Sequence, residues 1–266
     1  MLQLIIPAYN EELRLPRTLR ALRAHLAGDD AVPGPVEVIV VDNASVDGTA
    51  RVALECTSEE LSVRVMRCDV RGKGAAVRAG MLATDADVVG FMDADGATSL
   101  EALDEAWRLL SIGNELAIGS RGLAGSVTAS RHSWVRERGA RAYRSFAASI
   151  VQDVVDTQCG FKLMEGDLAR LIFAQMQTVG FSFDVEMLAR AKLHGARVAE
   201  FPVVWTDIPG STFVPARHGA RSFRDLAQIA WLMREERAAL PLPAIPAPVS
   251  SPMTAPMTGP ITAVEG

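Results

Sequence analysis

Short apolar runs alternate with longer amphipathic stretches through the first 120 residues of the chain. The apolar runs are LQLII, VEVIVV, SVRVMR, DVVGFM and ELAIG, and their β-branched content is typical of strands. Between them, stretches such as RLPRTLRALRAHL and SLEALDEAWRLL repeat apolar residues about every 3.6 positions, which predicts helices. Repeated strand–helix units whose strands are continuously apolar predict an α/β fold, with a mostly parallel sheet covered by helices on both faces.

The pattern becomes less regular beyond residue 122. A helix is predicted over 131–151, followed by a smaller α+β region through GFKLM, DVEMLARAKLHG and RVAEFPVVW. The stretch RSFRDLAQIAWLMREERAA predicts a last helix. Residues 241–266 are rich in Pro, Ala, Thr and Ser and nearly uncharged, which predicts a disordered tail.

Composition narrows the class of protein without defining its function. The chain has 266 residues, a net charge of −5 and 22% charged residues, which argues against a basic nucleic-acid-binding protein. Its three cysteines form no C-x-x-C pair, so neither a disulfide framework nor a zinc site is predicted. No signal peptide and no apolar run of about 18 residues is present. We therefore expect a cytoplasmic protein, with peripheral contact at the cytoplasmic face of a membrane left open.

Polar residues collect directly after each predicted strand. Ligands of open α/β sheets bind beyond the carboxyl ends of the strands, so these segments should converge along one rim. The segments are 7–12, 42–49, 71–74, 93–96 and 120–121. Together they offer a ring for stacking (Tyr9), single hydrogen-bond acceptors (Glu11 and Asp42), a cation (Lys73) and a carboxylate pair. Such a set suits a nucleoside diphosphate.

The tripeptide Asp-Ala-Asp occurs twice, at residues 85–87 and 93–95. The first copy precedes the strand VVGFM and the second follows it, so the two lie at opposite edges of the sheet, roughly 17 Å apart. Only Asp93 and Asp95 fall at the ligand edge. There they are predicted to bind Mg²⁺ or Mn²⁺, whose charge would neutralise the diphosphate.

The motifs PAYNEE, VVDNASVDGT, RGKGAAVRAG, DADG and GSR, in this order, resemble those of the inverting family-2 glycosyltransferases with the GT-A fold. DTQCGFKLM, FSFDVEML and FPVVWTDIPGST resemble more narrowly the dolichyl-phosphate glucose synthase group, close to the polyprenyl-phosphate mannose synthases. The resemblance covers about residues 1–235. The chain departs from the pattern at Asp42-Asn43, where Asp-Asp is usual, and in its polar tail, where many relatives carry hydrophobic helices.

This resemblance implies a metal-dependent transferase that moves a hexose from UDP-glucose or GDP-mannose, with UDP-glucose favoured. Residues 1–122 would form the nucleotide-sugar-binding half, and 123–240 the acceptor-binding half, containing an arginine-rich amphipathic helix. The residues implied for the donor are Pro7, Tyr9, Glu11, Asp42, Lys73, Asp93 and Ala94, with metal ligands Asp93 and Asp95.

The acceptor determines which further groups are needed. A phosphate is already anionic and requires cations, whereas a hydroxyl requires a general base. The candidate catalytic residues are Asp95, Arg121, Asp156 and Asp184, with Glu186 as a further candidate base. The candidate acceptor-binding residues are Arg121, Arg131, Arg136, Arg138 and Gln158.

The resemblance implies a polyprenyl phosphate as the favoured acceptor, and the arginine-rich helix also suits an anionic membrane surface. The same helix could instead present only a solvated face. Two alternatives remain open: a soluble small-molecule acceptor that reacts through a hydroxyl group, and a non-catalytic nucleotide-sugar-binding protein. A nicotinamide dehydrogenase is rejected, because PAYNEE stands where G-x-G-x-x-G would be required.

Overall fold

The computed structural model of the chain describes residues 1–28, 32–129, 134–208 and 215–239, with the side chains of 129, 134–138 and 215–218 excepted. The strands are β1 (Leu2–Ala8), β2 (Val36–Asp42), β3 (Ser62–Arg67), β4 (Val88–Met92), β5 (Leu116–Ser120), β6 (Val127–Ala129), β7 (Phe161–Glu165), β8 (Val198–Pro202) and β9 (Val204–Thr206). The helices are α1 (Leu15–Leu26), α2 (Thr49–Leu54), α3 (Lys73–Leu82), α4 (Glu101–Ser111), α5 (Trp134–Ile150), α6 (Gly166–Gln175), α7 (Phe183–Leu193) and α8 (Pro215–Ala239).

The main sheet has the strand order β3-β2-β1-β4-β7-β5-β8. All of its neighbouring strands are parallel except β7, which runs antiparallel to both β4 and β5. Strands β6 and β9 form a separate two-stranded parallel ribbon. The predicted α/β class with a mostly parallel, helix-flanked sheet is confirmed.

Two apolar cores cover the two faces of this sheet. Within β1, Ile5 faces the core built with α3, α5, α6, α7 and α8, whereas Leu4 and Ile6 face the core built with α1, α2 and α4. Strands β1 and β2 are therefore buried on both sides, as their continuous apolar runs predict. This burial makes the sheet a rigid platform from which the loops at its carboxyl edge project.

The sheet runs through both halves of the chain. GFKLM was expected within a smaller acceptor-side α+β region, and as β7 it lies in the middle of the main sheet, between β4 and β5. Gly90 of β4 permits this insertion, because a Cβ atom there would collide with Leu163 and with the Lys162 carbonyl of β7. The division at residue 122 into donor and acceptor halves therefore stays a prediction about binding rather than a boundary of the sheet.

The long helices of the second half form where the sequence predicts them, as α5 and α8. Within the described ranges, no helix combines the length and hydropathy required to cross a bilayer. The predicted disordered tail, 241–266, lies outside the described residues.

Candidate active site

A cleft of about 450 Å³ opens at the carboxyl edge of the sheet. Several residues that the sequence assigns to the donor and the metal line it: Pro7, Tyr9, Glu11, Lys73, Asp93, Ala94 and Asp95. Asp85 and Asp87 are exposed at the opposite end of β4. The structure thus brings together one Asp-Ala-Asp copy with the other strand-end motifs and separates the second copy from them.

Hydrogen bonds join the loops that follow β1 and β2. The Asn10 backbone N–H donates to Ser45 Oγ at 3.0 Å, and the Val46 N–H donates to Asn10 Oδ1 at 3.0 Å. The Glu11 N–H donates to Thr49 Oγ1 at 2.8 Å. Asn10 adopts a positive φ of 55°, a conformation that asparagine tolerates better than most residues. These contacts fix the backbone on which Tyr9 and Glu11 face the cleft.

Asp42 and Asn43 form hydrogen bonds that hold the loops after β2 and β3. Asp42 is 6% exposed, accepts a hydrogen bond from the Ser45 N–H at 3.1 Å, and is not among the residues that line the cleft. Asn43 Nδ2 donates to the Val70 carbonyl at 2.7 Å, while its Oδ1 accepts from the Gly72 N–H at 2.8 Å. An amide can donate and accept at once, whereas an ionised carboxylate only accepts, so asparagine suits these two bonds better than a second aspartate would.

The glycines on either side of Lys73 are required by close packing. Gly72 has a φ of 138°, and a Cβ atom there would collide with the Val179 carbonyl. At Gly74, a Cβ atom would collide with the Thr178 carbonyl and with Phe183. The start of α3 therefore lies directly against the segment that leads into α7, which places Lys73 at the meeting point of the two halves.

Lys73 and the carboxylate pair form one charge cluster. Lys73 Nζ contacts Asp93 Oδ1 at 2.6 Å and lies 5.9 Å from the centroid of the Phe183 ring. Burial opposes the ammonium form, but the nearby carboxylates, Asp93 foremost, raise the pKa of Lys73. Burial and the neighbouring Asp93 charge raise the pKa of Asp95, which also accepts a hydrogen bond from the Ala97 N–H at 3.1 Å.

The carboxylate pair fits a hard divalent cation. No cage of three His, Cys, Asp or Glu side chains occurs among the described residues. Mg²⁺ and similar ions do not need one, because they are often bound by one or two carboxylates together with substrate phosphates. Burial and, after it, repulsion by Asp93 raise the pKa of Asp95, and a bound cation would relieve that repulsion. Asp93 and Asp95 could hold such an ion with a diphosphate completing its coordination.

Four charged residues of the cleft have no role in the sequence-based assignment of the site: Arg14, Arg71, Arg221 and Asp225. Arg14 Nε and Nη2 donate to the Glu11 carboxylate at 2.7 and 2.5 Å, and burial raises the pKa of Glu11 in spite of this partner. Arg71, Arg221 and Asp225 also line the cleft. Arg71 stands in the strand-end segment 71–74, but it was assigned no role from the sequence. The α8 residues carry no strand-end signal that would have revealed them.

Arg121 and Asp156 bind each other at the edge of β5. Arg121 Nε and Nη2 donate to the Asp156 carboxylate at 2.6 and 2.9 Å, and the Arg121 backbone N–H adds a third bond at 3.0 Å. The Trp205 ring lies 5.5 Å from the guanidinium. Burial would raise the pKa of Asp156, but its bonds to Arg121 outweigh burial and lower it. A carboxylate held in this way is a weak proton acceptor at neutral pH.

The two acids of α7 are buried behind the cleft. Asp184 Oδ1 contacts the fully buried Lys162 Nζ at 2.6 Å, and burial raises the pKa of Asp184 against the effect of that lysine. Glu186 accepts hydrogen bonds from the backbone N–H groups of Gln177 and Thr178 and pairs with Arg190 at 2.9 Å. These contacts support structural roles, whereas the sequence offered both acids as candidate bases.

The remaining acceptor candidates are only partly described. Gln158 Nε2 donates to the Phe181 carbonyl at 3.3 Å, next to the cleft wall. Arg131 lies outside the described residues, and Arg136 and Arg138 belong to α5, where their side chains are not described.

A mostly parallel sheet with one inserted antiparallel strand, and a carboxylate pair after a central strand, match the GT-A fold. The chain belongs to glycosyltransferase family 2: the family model "Glycosyl transferase family 2" matches residues 3–165. It is therefore a glycosyltransferase.

The chain is also similar to particular curated proteins and solved structures. It is similar to the dolichyl-phosphate beta-glucosyltransferase of Drosophila melanogaster, at 35% identity over 244 residues, covering 86% of this chain and 74% of the relative. The Homo sapiens dolichyl-phosphate beta-glucosyltransferase is 32% identical over 257 residues, covering 89% and 79%. Glucosyl-3-phosphoglycerate synthase from Mycobacterium tuberculosis, crystallised with Mn²⁺, UDP-glucose and phosphoglyceric acid, superposes with a TM-score of 0.63 at 20% identity, covering 91% and 80%.

Proposed function

We propose that this glycosyltransferase moves glucose from UDP-glucose to a polyprenyl phosphate, with inversion at the anomeric carbon and with Mg²⁺ or Mn²⁺ at Asp93 and Asp95. The names of the relatives support the glucose and the lipid phosphate. The structural neighbour that binds Mn²⁺ together with UDP-glucose supports the donor and the metal. GDP-mannose is the alternative donor.

The donor side of the proposal uses the residues that line the cleft. Tyr9 is 39% exposed there and can stack on the nucleobase, while Glu11 can accept a hydrogen bond from the nucleoside. Lys73 can contact the diphosphate as a point charge. A bound divalent cation would supply the charge that stabilises the departing diphosphate. Asp42 is proposed to act indirectly, through the loop that it holds.

One observation favours a phosphate acceptor in particular. The acids that the sequence offers as bases, Asp156, Asp184 and Glu186, are each engaged with an arginine or a lysine. A phosphate oxygen is already ionised at neutral pH, with a second pKa of about 6, and can attack without a base. Arg71 and Arg221 line the cleft and are available to bind such an anion, in addition to the predicted arginines of α5.

A polyprenyl phosphate lies in a membrane, so the proposal includes peripheral contact with the cytoplasmic face. The arginine-rich helix α5 is the candidate contact. Co-sedimentation with vesicles of anionic phospholipid tests this element separately. Binding at low salt that is lost at high salt would support it, and absence of binding at low salt would contradict it.

The Asp225 carboxylate favours a second class of acceptor, one that reacts through a hydroxyl group. Asp225 lines the cleft, and burial raises its pKa, so it could take a proton from a hydroxyl group of a small soluble acceptor such as a phosphoglycerate. Asp225→Asn separates the two chemistries. Transfer to a phosphate group should survive the substitution, whereas transfer to a hydroxyl group should fall by roughly 100-fold or more.

The donor is tested most simply by calorimetry. With Mn²⁺ present, UDP-glucose should bind more tightly than GDP-mannose, and UDP should retain most of the affinity. If GDP-mannose binds more tightly than UDP-glucose, the donor is GDP-mannose and the transferred sugar is mannose.

A further inference from the structure

The ammonium group of Lys73 lies where a metal ligand is needed. Its Nζ contacts Asp93 Oδ1 at 2.6 Å, and the Asp93 side chain is 35% exposed. Asp93 is one of the two carboxylates proposed to hold the cation. In this conformation, therefore, a cation that belongs to the chain already engages one oxygen of the metal site.

The Asp93 carboxylate has little room to rotate and present its other oxygen to a metal. Gly160 lies directly against its carboxylate, at a distance that leaves no room for a Cβ atom. The Asp93 backbone N–H donates to the Gly160 carbonyl at 3.1 Å, which fixes the strand end as well. An incoming cation must therefore share the Asp93 carboxylate with Lys73 or displace Lys73.

Lys73 itself is long enough to take a second partner. Its backbone is fixed, because the flanking glycines pack against the Val179 and Thr178 carbonyls. Its side chain carries the flexible four-carbon stem and three donors of every lysine. The Lys73 side chain is 19% exposed and lines the same cleft as Tyr9 and Glu11, so its ammonium could reach a diphosphate bound there.

We propose that the Lys73 ammonium pairs with the Asp93 carboxylate until a divalent metal binds there. The ammonium then leaves Asp93 and pairs with the diphosphate of the donor. This inference rests on the proposed function. Binding of metal alone would leave the displaced ammonium beside a new positive charge, whereas a diphosphate gives it a partner. Metal and nucleoside diphosphate should consequently bind with positive cooperativity, and Lys73 should carry much of that coupling.

Mn²⁺ affinity measures the competition without relying on turnover. Mn²⁺ binding to the full chain is followed by electron paramagnetic resonance, with and without UDP, for the wild type and for Lys73→Met. Without UDP, Lys73→Met should bind Mn²⁺ about 10-fold more tightly than the wild type, because no internal cation competes. The gain in Mn²⁺ affinity that UDP produces should shrink by a similar factor.

Arg71→Met is the matched control, since Arg71 also lines the cleft but has no ion pair with Asp93 among the described contacts. Without UDP, it should change Mn²⁺ affinity by less than about 3-fold. Equal effects of the two substitutions would mean that any nearby positive charge acts in this way, which overturns the inference. Unchanged or weaker Mn²⁺ binding by Lys73→Met would overturn it too.

Lys73→Gln provides a second variant of similar length without the charge, and circular dichroism checks that each variant is folded. Both Lys73 variants should show the same tighter Mn²⁺ binding. If the wild type binds Mn²⁺ and UDP but the coupling is unchanged in the variants, only the inference fails. If the wild type binds neither Mn²⁺ nor UDP, the proposed function fails and the inference with it.

Discussion

The two Asp-Ala-Asp tripeptides show that position, and not residue type, determines what a carboxylate can do. Asp87 is 89% exposed at the start of β4, where water solvates its charge. Asp93 and Asp95 follow the same strand and lie beside Lys73 and Glu11 in a cleft. Chain direction within a parallel sheet separates the copies, which is why the sequence could distinguish them.

Paired substitutions test this difference at the residue scale. Asp93→Asn with Asp95→Asn should reduce turnover by at least roughly 100-fold, because the site loses the charge that holds the metal. Asp85→Asn with Asp87→Asn is the control and should leave kcat and KM within about 2-fold of the wild type. Steady-state rates of UDP release measure both. Equal losses in the two double variants would contradict the assignment of the site.

Gly160 offers a second test at this scale, because its missing side chain leaves room for the Asp93 carboxylate. Gly160→Ala should displace that carboxylate and weaken Mn²⁺ binding by about 10-fold or more, by calorimetry. Gly139→Ala is the matched control, since a Cβ atom at Gly139 meets no described atom within 4 Å. Normal Mn²⁺ binding by a folded Gly160→Ala variant would show that Asp93 is not confined in this way.

At the scale of elements, the buried helix α7 explains why two candidate bases, Asp184 and Glu186, are engaged in ion pairs. Almost every residue of α7 is buried, including Asp184, Glu186 and Arg190. A helix buried on all sides must provide internal partners for its charges, because an unpaired buried charge is costly. The sequence shows that acids stand near the site motifs. It does not show that Lys162 comes from a strand inserted beside them.

The Lys162–Asp184 pair can be tested by its effect on stability. Asp184→Ala should reduce the free energy of unfolding by about 3–5 kcal/mol, because it leaves the Lys162 ammonium buried without its carboxylate. Lys162→Met combined with Asp184→Ala should recover much of that loss, as measured by urea denaturation. If the double variant regains stability but has no activity, Asp184 would again be a candidate base.

The Arg121–Asp156 pair predicts a pH dependence of stability. The pKa of Asp156 is lowered from 3.8, so its carboxylate stabilises the fold above pH 3.8, and this contribution disappears as the pH falls through the lowered pKa. At pH 7, Asp156→Asn should reduce the free energy of unfolding by about 1.5–3 kcal/mol. The difference from the wild type should shrink below pH 3.8 in urea titrations. A difference that stays constant with pH would contradict the ion pair.

The first five strands and the helices between them were predictable because each strand–helix unit is local in sequence. The position of β7 within the sheet was not predictable, since it depends on close backbone approach at Gly90, a long-range contact. The same reason applies to Arg221 and Asp225, which reach the cleft only through the packing of α8. Local patterns thus predict the platform and its rim, whereas the far wall of the cleft depends on tertiary contacts.

At the scale of the whole molecule, both halves of the chain build one cleft. The first half supplies the stacking ring, the lysine and the carboxylate pair, and the second supplies Gly180, Phe181 and the cleft face of α8. The Gly72–Gly74 turn packs directly on the segment before α7. A ligand in the cleft would therefore contact both halves, which suits a reaction that joins a donor to an acceptor.

The most direct test of the central claim is analysis of the product formed from UDP-glucose, Mn²⁺ and a polyprenyl phosphate. We predict a β-linked glucosyl phosphate lipid, detected by mass spectrometry and assigned by NMR, with formation abolished by EDTA and by Asp93→Asn with Asp95→Asn. Absence of this lipid product, with glucose transferred to the hydroxyl group of a soluble acceptor at a comparable or higher rate, would contradict the account.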